Sequence, residues 1–230
     1  MNQITPLDVP SAIQQRRSIR AFKPDPIEPE LIKQLVEFAV SAPSVSNLQP
    51  WQIVVVQSPE KKAALVKACT DEEISELRPR IYERQKIIAS APITFVFAAD
   101  FNGWNKNTVN MLELAKQNGV YTDKEVKYLK KGIPQLFEQQ EDKTREWAVK
   151  DAAIAATHLV LAAESLGLSS CMLYHPLENR VKEVIGAGNM PDIAIAVLVA
   201  VGYAAESRKN PGRLPLSANV SIDELGNPME

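Results

Sequence analysis

The chain has 230 residues, enough for one large domain or two small ones with a sizeable core. Hydrophobic residues at 45% and charged residues at 23% are ordinary for a soluble globular protein, and a formal charge of −2 gives no global pull toward nucleic acid or an anionic membrane. Two cysteines, Cys69 and Cys171, provide neither a disulfide framework nor metal-ligand spacing, and read as buried or incidental thiols in a reducing compartment.

In chain order, the opening "MNQITPLDVPS" lacks the basic flank and apolar centre of a signal peptide, so a cytoplasmic location is expected. Asp8–Gln15 reads as a short helix, with Pro10 in its first turn. Pro24, Pro26 and Pro29 then break the chain before "EPELIKQLVEFAV", where Leu31, Ile32, Leu35, Val36 and Ala39 recur at helical spacing. "SAPSVSNLQPW" follows, and after it "WQIVVV" is a β-branched run that predicts a strand. Residues 59–69 and 72–90 read as helical, and "ITFVFAA" from Ile93 as a second strand.

Residues 102–144 differ in texture. They are polar and lysine-rich, with helical patches, and read as an inserted helical excursion. Trp104, Tyr121, Tyr128 and Phe137 are its candidate pocket residues, with ordinary packing as the competing role for each. "REWAVKDAAIAATHLVLAAESLG" is alanine-rich, apolar on most faces and stopped by Gly167, which predicts a helix buried on several sides, within the domain or at a dimer interface. "SSCMLY" and "DIAIAVLVAVGY" read as strands separated by a short helix over "ENRVKEVIG". The longest apolar run, Ile193–Val201, is half the length of a membrane helix, and the proline-studded tail beyond Gly202 should run extended over a surface. The irregular order of strands and helices predicts one α+β domain over 1–230, with a sheet of about four strands.

Several chemistries lack their motifs. No HExxH, CxxC or GxSxG pattern occurs, and the glycine pair Gly186 and Gly188 follows a helix and lacks a third glycine, so neither a metal site nor a dinucleotide fingerprint is expected. His158, mid-helix among alanines, reads as a core or interface histidine.

Three segments carry the unusual polar residues. In "RRSIRAF", Arg16, Ser18 and Arg20 are spaced by two, so an extended chain puts all three on one side, a set suited to an anion such as phosphate. "PSVSNLQPW" offers Ser44, Asn47 and Gln49, and an asparagine amide can pair with an amide-like ring edge. "YAAESRKNPGRLPL" places Arg208, Lys209 and Arg213 beyond the last strand. Taken singly, each segment also reads as a solvated turn, a capping loop or a charged tail.

Together they resemble the FMN-dependent nitroreductases. "RRSIRAF" is similar to that family's Arg-x-Ser-x-Arg/Lys signature, and "PSVSNLQPW" to its Pro-Ser-x-x-Asn-x-Gln-Pro-Trp loop. "GLSSCMLY" and "GYAAE…PGRLPL" follow in the family's order. The resemblance implies a three-layer α+β fold, with a small, mostly antiparallel sheet flanked by helices in an intertwined homodimer, the excursion covering the active site. It also implies FMN as cofactor, NAD(P)H as donor and a nitroaromatic, quinone or similar acceptor in ping-pong order. On this resemblance Arg16, Ser18 and Arg213 hold the FMN phosphate, with Arg17 in the same cofactor-binding set. Arg20 faces the N1–C2=O edge of the ring, Asn47 pairs with its pyrimidine side, and Gln49 belongs to the same cofactor-binding set. Pro43 and Ser44 touch the flavin held mainly by the partner subunit. The backbone around Leu173, Tyr174 and His175 supplies an N–H to flavin N5, although relatives often carry small residues where Tyr174 and His175 stand. A non-catalytic flavin-binding redox sensor, or the same fold with dehalogenase or flavin-consuming chemistry, are the alternatives.

Overall fold

The structure, a computed structural model, describes residues 6–69, 86–174 and 177–229. Helix α1 (Val9–Gln15) starts where Asp8 accepts a hydrogen bond from the Ser11 N–H, and α2 (Pro29–Val40) starts on a proline whose fixed φ suits a first turn. After a 3₁₀ turn at Val45–Asn47 come strand β1 (Trp51–Val56), helix α3 (Pro59–Ala68), a helical stretch over residues 86–90 and strand β2 (Ile93–Asp100). Helices α4 (Gly103–Gln117), α5 (Asp123–Gln139) and α6 (Glu141–Ser165) follow, then β3 (Ser169–Leu173), α7 (Glu178–Val184) and β4 (Ile193–Gly202). Of the helix expected over 72–90, the part before residue 86 lies outside the described residues.

The four strands form one antiparallel sheet in the order β1-β2-β4-β3. Every residue of β2 is buried, as its unbroken apolar run requires, because both faces of the sheet are covered. Phe95, Phe97, Val197 and Val199 point to α2 and α6, while Val96, Leu198 and Ala200 point to a layer that includes Leu65 of α3 and Val181 of α7. The fold is therefore a three-layer α+β arrangement, helices on sheet on helices.

Helix α6 is the central support. It buries Ala148, Ala152, Ala155, Ala156, Leu159 and Ala163 against the sheet, the small alanines allowing close approach, and leaves Ile154 on its other side 40% exposed. Its first turn is acidic, with Glu141 and Asp142 facing the positive end of the helix dipole. The helix thus begins four residues before the expected Arg145 and takes the last residues of the 102–144 excursion.

The rest of the excursion, α4 and α5, packs through its own small core of Met111, Leu112, Val126, Ile133 and Phe137. Trp104 stacks on Phe137 at 5.5 Å between ring centroids, and Trp147 meets Phe137 edge-on at 5.3 Å. Phe137, Trp104 and Tyr121 thus pack in this small core, Trp104 and Phe137 also line a cavity with Asn102, Glu141 and Arg145, and Tyr128 is exposed. No helix among the described residues is long and apolar enough to cross a membrane.

Candidate functional site

The segment after α1 adds to the free edge of the sheet. Ser18 bridges to Ser170 of β3 in parallel, and the Ile19 N–H donates to the Ser170 carbonyl at 3.1 Å. Phe22 bridges to Ala204, and the Ala205 N–H donates to the Ala21 carbonyl at 2.9 Å. Ile19 is buried in the core while Arg16, Ser18 and Arg20 line one cleft, the side-chain alternation expected of an extended chain; Phe22, also buried, falls outside that alternation. Gly202 makes this docking possible. A Cβ there would lie 2.6 Å from Pro92 Cδ and 3.0 Å from the Phe22 ring, so no side chain fits between them.

These residues line a cleft of about 650 Å³ whose other wall is the tail, with Ser207, Arg208, Lys209, Pro211 and Arg213. Among the described residues, six cations (Arg16, Arg17, Arg20, Arg208, Lys209 and Arg213) and a single acid, Glu206, line it. Arg17 turns back instead, donating through Nη1 to the carbonyls of Gln14 at 2.7 Å and Arg16 at 2.8 Å, which satisfies acceptors at the end of α1. Burial pushes the Glu164 carboxyl on α6 above its usual range, and Arg16 and Arg17 pull it partly back. The Cys171 thiol of β3 is likewise pushed up by burial against the opposing pull of Arg20, Arg208 and Arg16, so it stays a buried neutral group. A cleft so lined attracts an anion such as phosphate.

The second expected element, Pro43–Gln49, is built quite differently. Ser46, Asn47 and Gln49 have φ of 50°, 54° and 50°, so three non-glycine residues in four positions take left-handed backbone. Such conformations cost about 1–3 kcal/mol each and persist only where the surroundings enforce them. Here the Gln49 N–H donates to Ser44 Oγ at 3.0 Å, and the Val45 N–H donates to Asp151 Oδ2 on α6 at 3.0 Å. Asn107 on α4 donates to the Leu48 carbonyl at 2.9 Å. Leu48 is buried in the small core of α4 and α5, so excursion and loop form one unit. Asp151 is itself buried, and burial pushes its carboxyl above the usual range. Asp151 and Asn107 were not expected, since the residues that hold this loop lie far from it in the sequence.

Loop and cleft lie at diagonally opposite corners of the sheet. Trp51 at the loop's end aligns through Ala99 with Ala194, while Ser170 beside the cleft aligns with Val201. Three strand spacings and the rise make this about 14 Å across the sheet and about 20 Å along it, hence roughly 25 Å in all. Helix α6 gives a second ruler. Asp151 holds the loop and Glu164 feels Arg16 and Arg17, about 20 Å apart along the axis.

Of the remaining expected residues, Leu173 is buried at the end of β3, and Tyr174 beyond it is 66% exposed. His175 lies outside the described residues. His158 lines an apolar groove of about 410 Å³ with Leu7, Phe38, Leu161 and Leu166, which shares no lining residue with the cationic cleft. Among the described residues no group of three His, Cys, Asp or Glu could hold a metal ion.

The Nitroreductase family model matches residues 13–203. The "NADH dehydrogenase" of Thermus thermophilus is 32% identical over 211 residues, covering 91% of this chain and 93% of the relative. The "FMN reductase (NADPH)" of Bacillus subtilis is 28% identical over 225 residues, 94% and 77% of the two chains. The solved complex of an Exiguobacterium sibiricum protein with FMN shares the fold at a TM-score of 0.78 and 20% identity, over 95% of this chain and 98% of that one. A family match over residues 13–203 and a relative this similar over nine-tenths of the chain decide the matter: this protein belongs to the nitroreductase family.

Proposed function

We propose that the chain is an FMN-dependent oxidoreductase that passes reducing equivalents from NAD(P)H to nitroaromatic, quinone or similar acceptors in ping-pong order, and works as a homodimer. The observation that carries this reading is the cationic cleft formed by "RRSIR" and the tail, facing away from a strained polar loop at the far corner of the same chain. In this reading Arg16, Ser18 and Arg213 hold the phosphate, and Arg20 stands at the N1–C2=O edge. The peptide around Leu173 and Tyr174 serves N5. When bound, FMN supplies the hydride-accepting and hydride-donating ring. The chain's own residues bind it, orient it and place positive charge where negative charge builds up. Donor and acceptor then alternate at one open face, which needs no dinucleotide-binding fold.

The corner-to-corner separation supports a second subunit, because Pro43, Ser44 and Asn47 stand too far from their own cleft to touch a flavin held there. They would meet the flavin of the partner, with the α4–α5 unit behind them covering its open face. Two surfaces are consistent with such a dimer. Phe38, Val9, Ile13 and Ile154 are exposed around the apolar groove at His158, and the tail from Ser207 to Asn219 is exposed throughout, with Leu214 and Leu216 uncovered. Two buried cysteine thiols fit a cytoplasmic setting.

The test is purification followed by a visible spectrum, then oxidation of NADH and NADPH with a nitroaromatic and a quinone. A yellow protein with steady turnover is expected. A protein that stays colourless after FMN is offered refutes the reading, and a yellow one that does not turn over is a flavin-binding sensor.

A further inference from the structure

Glu206 is the single acid among the six cations of the cleft, and its side chain is 25% exposed. One carboxylate oxygen, Oε1, accepts from the Arg20 main-chain N–H at 2.5 Å and from Arg208 Nε at 2.7 Å. The two partners come from opposite ends of the chain, Arg20 and Glu206 being 186 residues apart. The Arg208 guanidinium holds the carboxyl below its usual range, with the main-chain donors of Arg20 and Ala21 adding to the effect. Directly after Glu206 the tail becomes exposed, and that run carries Arg208, Lys209 and Arg213.

We propose that Glu206 is a positioning residue of the cofactor cleft, whose one carboxylate oxygen fixes the Arg20 main chain and the Arg208 guanidinium together and so sets the distance between the two cation-bearing walls. The inference rests on the reading of the cleft as an FMN site. Cations on the two walls repel, and a carboxylate between them offsets part of that repulsion before any phosphate arrives. The same carboxylate satisfies the Arg20 N–H, which points away from the sheet that binds its neighbour Ile19. The cleft is thereby preorganised, and preorganisation shows in the affinity for the anion.

Two readouts test this on wild type, Glu206→Ala and Glu206→Gln: the FMN dissociation constant of protein stripped and reloaded, and hydrogen exchange of single main-chain amides in the stripped and in the FMN-loaded protein. Glu206→Ala should speed exchange at Arg20 by at least about tenfold, the size of one charge-assisted hydrogen bond lost. The Ile19 amide, bonded to Ser170, should keep its protection. The FMN dissociation constant should rise by about tenfold in the same variant. Glu206→Gln, whose amide oxygen still accepts but carries no charge, should lie between the two on both measures. Unchanged exchange at Arg20 overturns the proposal, as does unchanged FMN affinity with Arg20 released. If Glu206→Ala does not fold, Glu206→Gln decides: FMN weakened severalfold with Ile19 still protected supports the proposal, and wild-type affinity overturns it. A wild-type protein that binds no FMN, yet frees the Arg20 amide on substitution, rejects the function proposed above while leaving the Glu206 link standing.

Discussion

Substituting Asp151 by alanine removes the acceptor that holds the Val45 N–H on α6. A partly buried main-chain donor left without a partner costs about 1–3 kcal/mol. Against this, the left-handed residues Ser46, Asn47 and Gln49 gain freedom to relax, which returns part of the strain stored in the loop. The net loss should therefore fall in the lower half of that range. At about 2–4 °C per kcal/mol for a chain of this size, the melting temperature should fall by about 2–8 °C. Asp151→Asn keeps an oxygen at the same place and removes the buried charge, so it should melt at or above wild type at neutral pH. The sign follows from the raised carboxyl. The folded state binds the proton more tightly than the unfolded chain, so this group's contribution is full below the ordinary carboxylate value and is lost as pH rises through the higher folded value. Asp151→Asn should flatten that part of the stability profile. The assay is thermal unfolding from pH 4 to 8, with FMN titration alongside, and Asp151→Ala should also bind FMN more weakly. An alanine variant within 1 °C of wild type at every pH, with full FMN affinity, would refute the claim that α6 holds the loop.

Three further outcomes follow from the same geometry. Arg20→Gln should stay yellow with a two-electron midpoint lowered by roughly 30–65 mV, the equivalent of a charge-assisted hydrogen bond specific to the reduced state, whereas Arg213→Gln should lose FMN with little change in potential; a dye-referenced titration of both separates the roles, and the reverse pattern sinks the assignment. Thr94 is buried in β2 with no hydrogen-bond partner for its hydroxyl among the described residues, so Thr94→Val should raise the melting temperature by about 2–4 °C, and a lower one would show that the hydroxyl is satisfied in solution. Gly202→Ala should push apart Pro92 and Phe22, costing about 1–3 kcal/mol by denaturant unfolding and weakening FMN as the Arg16–Phe22 segment shifts; wild-type values for both would contradict the close approach.

What the sequence made legible was local or periodic. The β-branched run at Trp51–Val56, the apolar run of β2 and the alanine-rich α6 each carry their pattern within one window, and the alternation Arg16, Ser18, Arg20 correctly put three side chains on one side. What it hid was long-range or conformational. Nothing in "SVSNLQ" announces three left-handed non-glycine residues, because Asp151, 106 positions away from Val45, and Asn107 hold that shape. Glu206 lies within the tail motif with no local pattern to set it apart, and its role depends on Arg20 at the other end of the chain. Trp104 and Phe137 stack on each other and also line a cavity, two roles that composition cannot tell apart.

The central claim is that each flavin site takes its cleft from one chain and its loop from another, and subunit mixing tests it most directly. Arg16→Gln/Arg213→Gln disables the cleft, Ser44→Ala/Asn47→Ala disables the loop, and each homodimer alone should be close to inactive. If equal amounts are unfolded together, refolded and loaded with FMN, half the dimers are mixed and each has one wholly wild-type site, so about a quarter of wild-type activity should return. If cleft and loop of one chain served the same flavin, every site would keep one of the two defects, and no recovery on mixing would contradict the account.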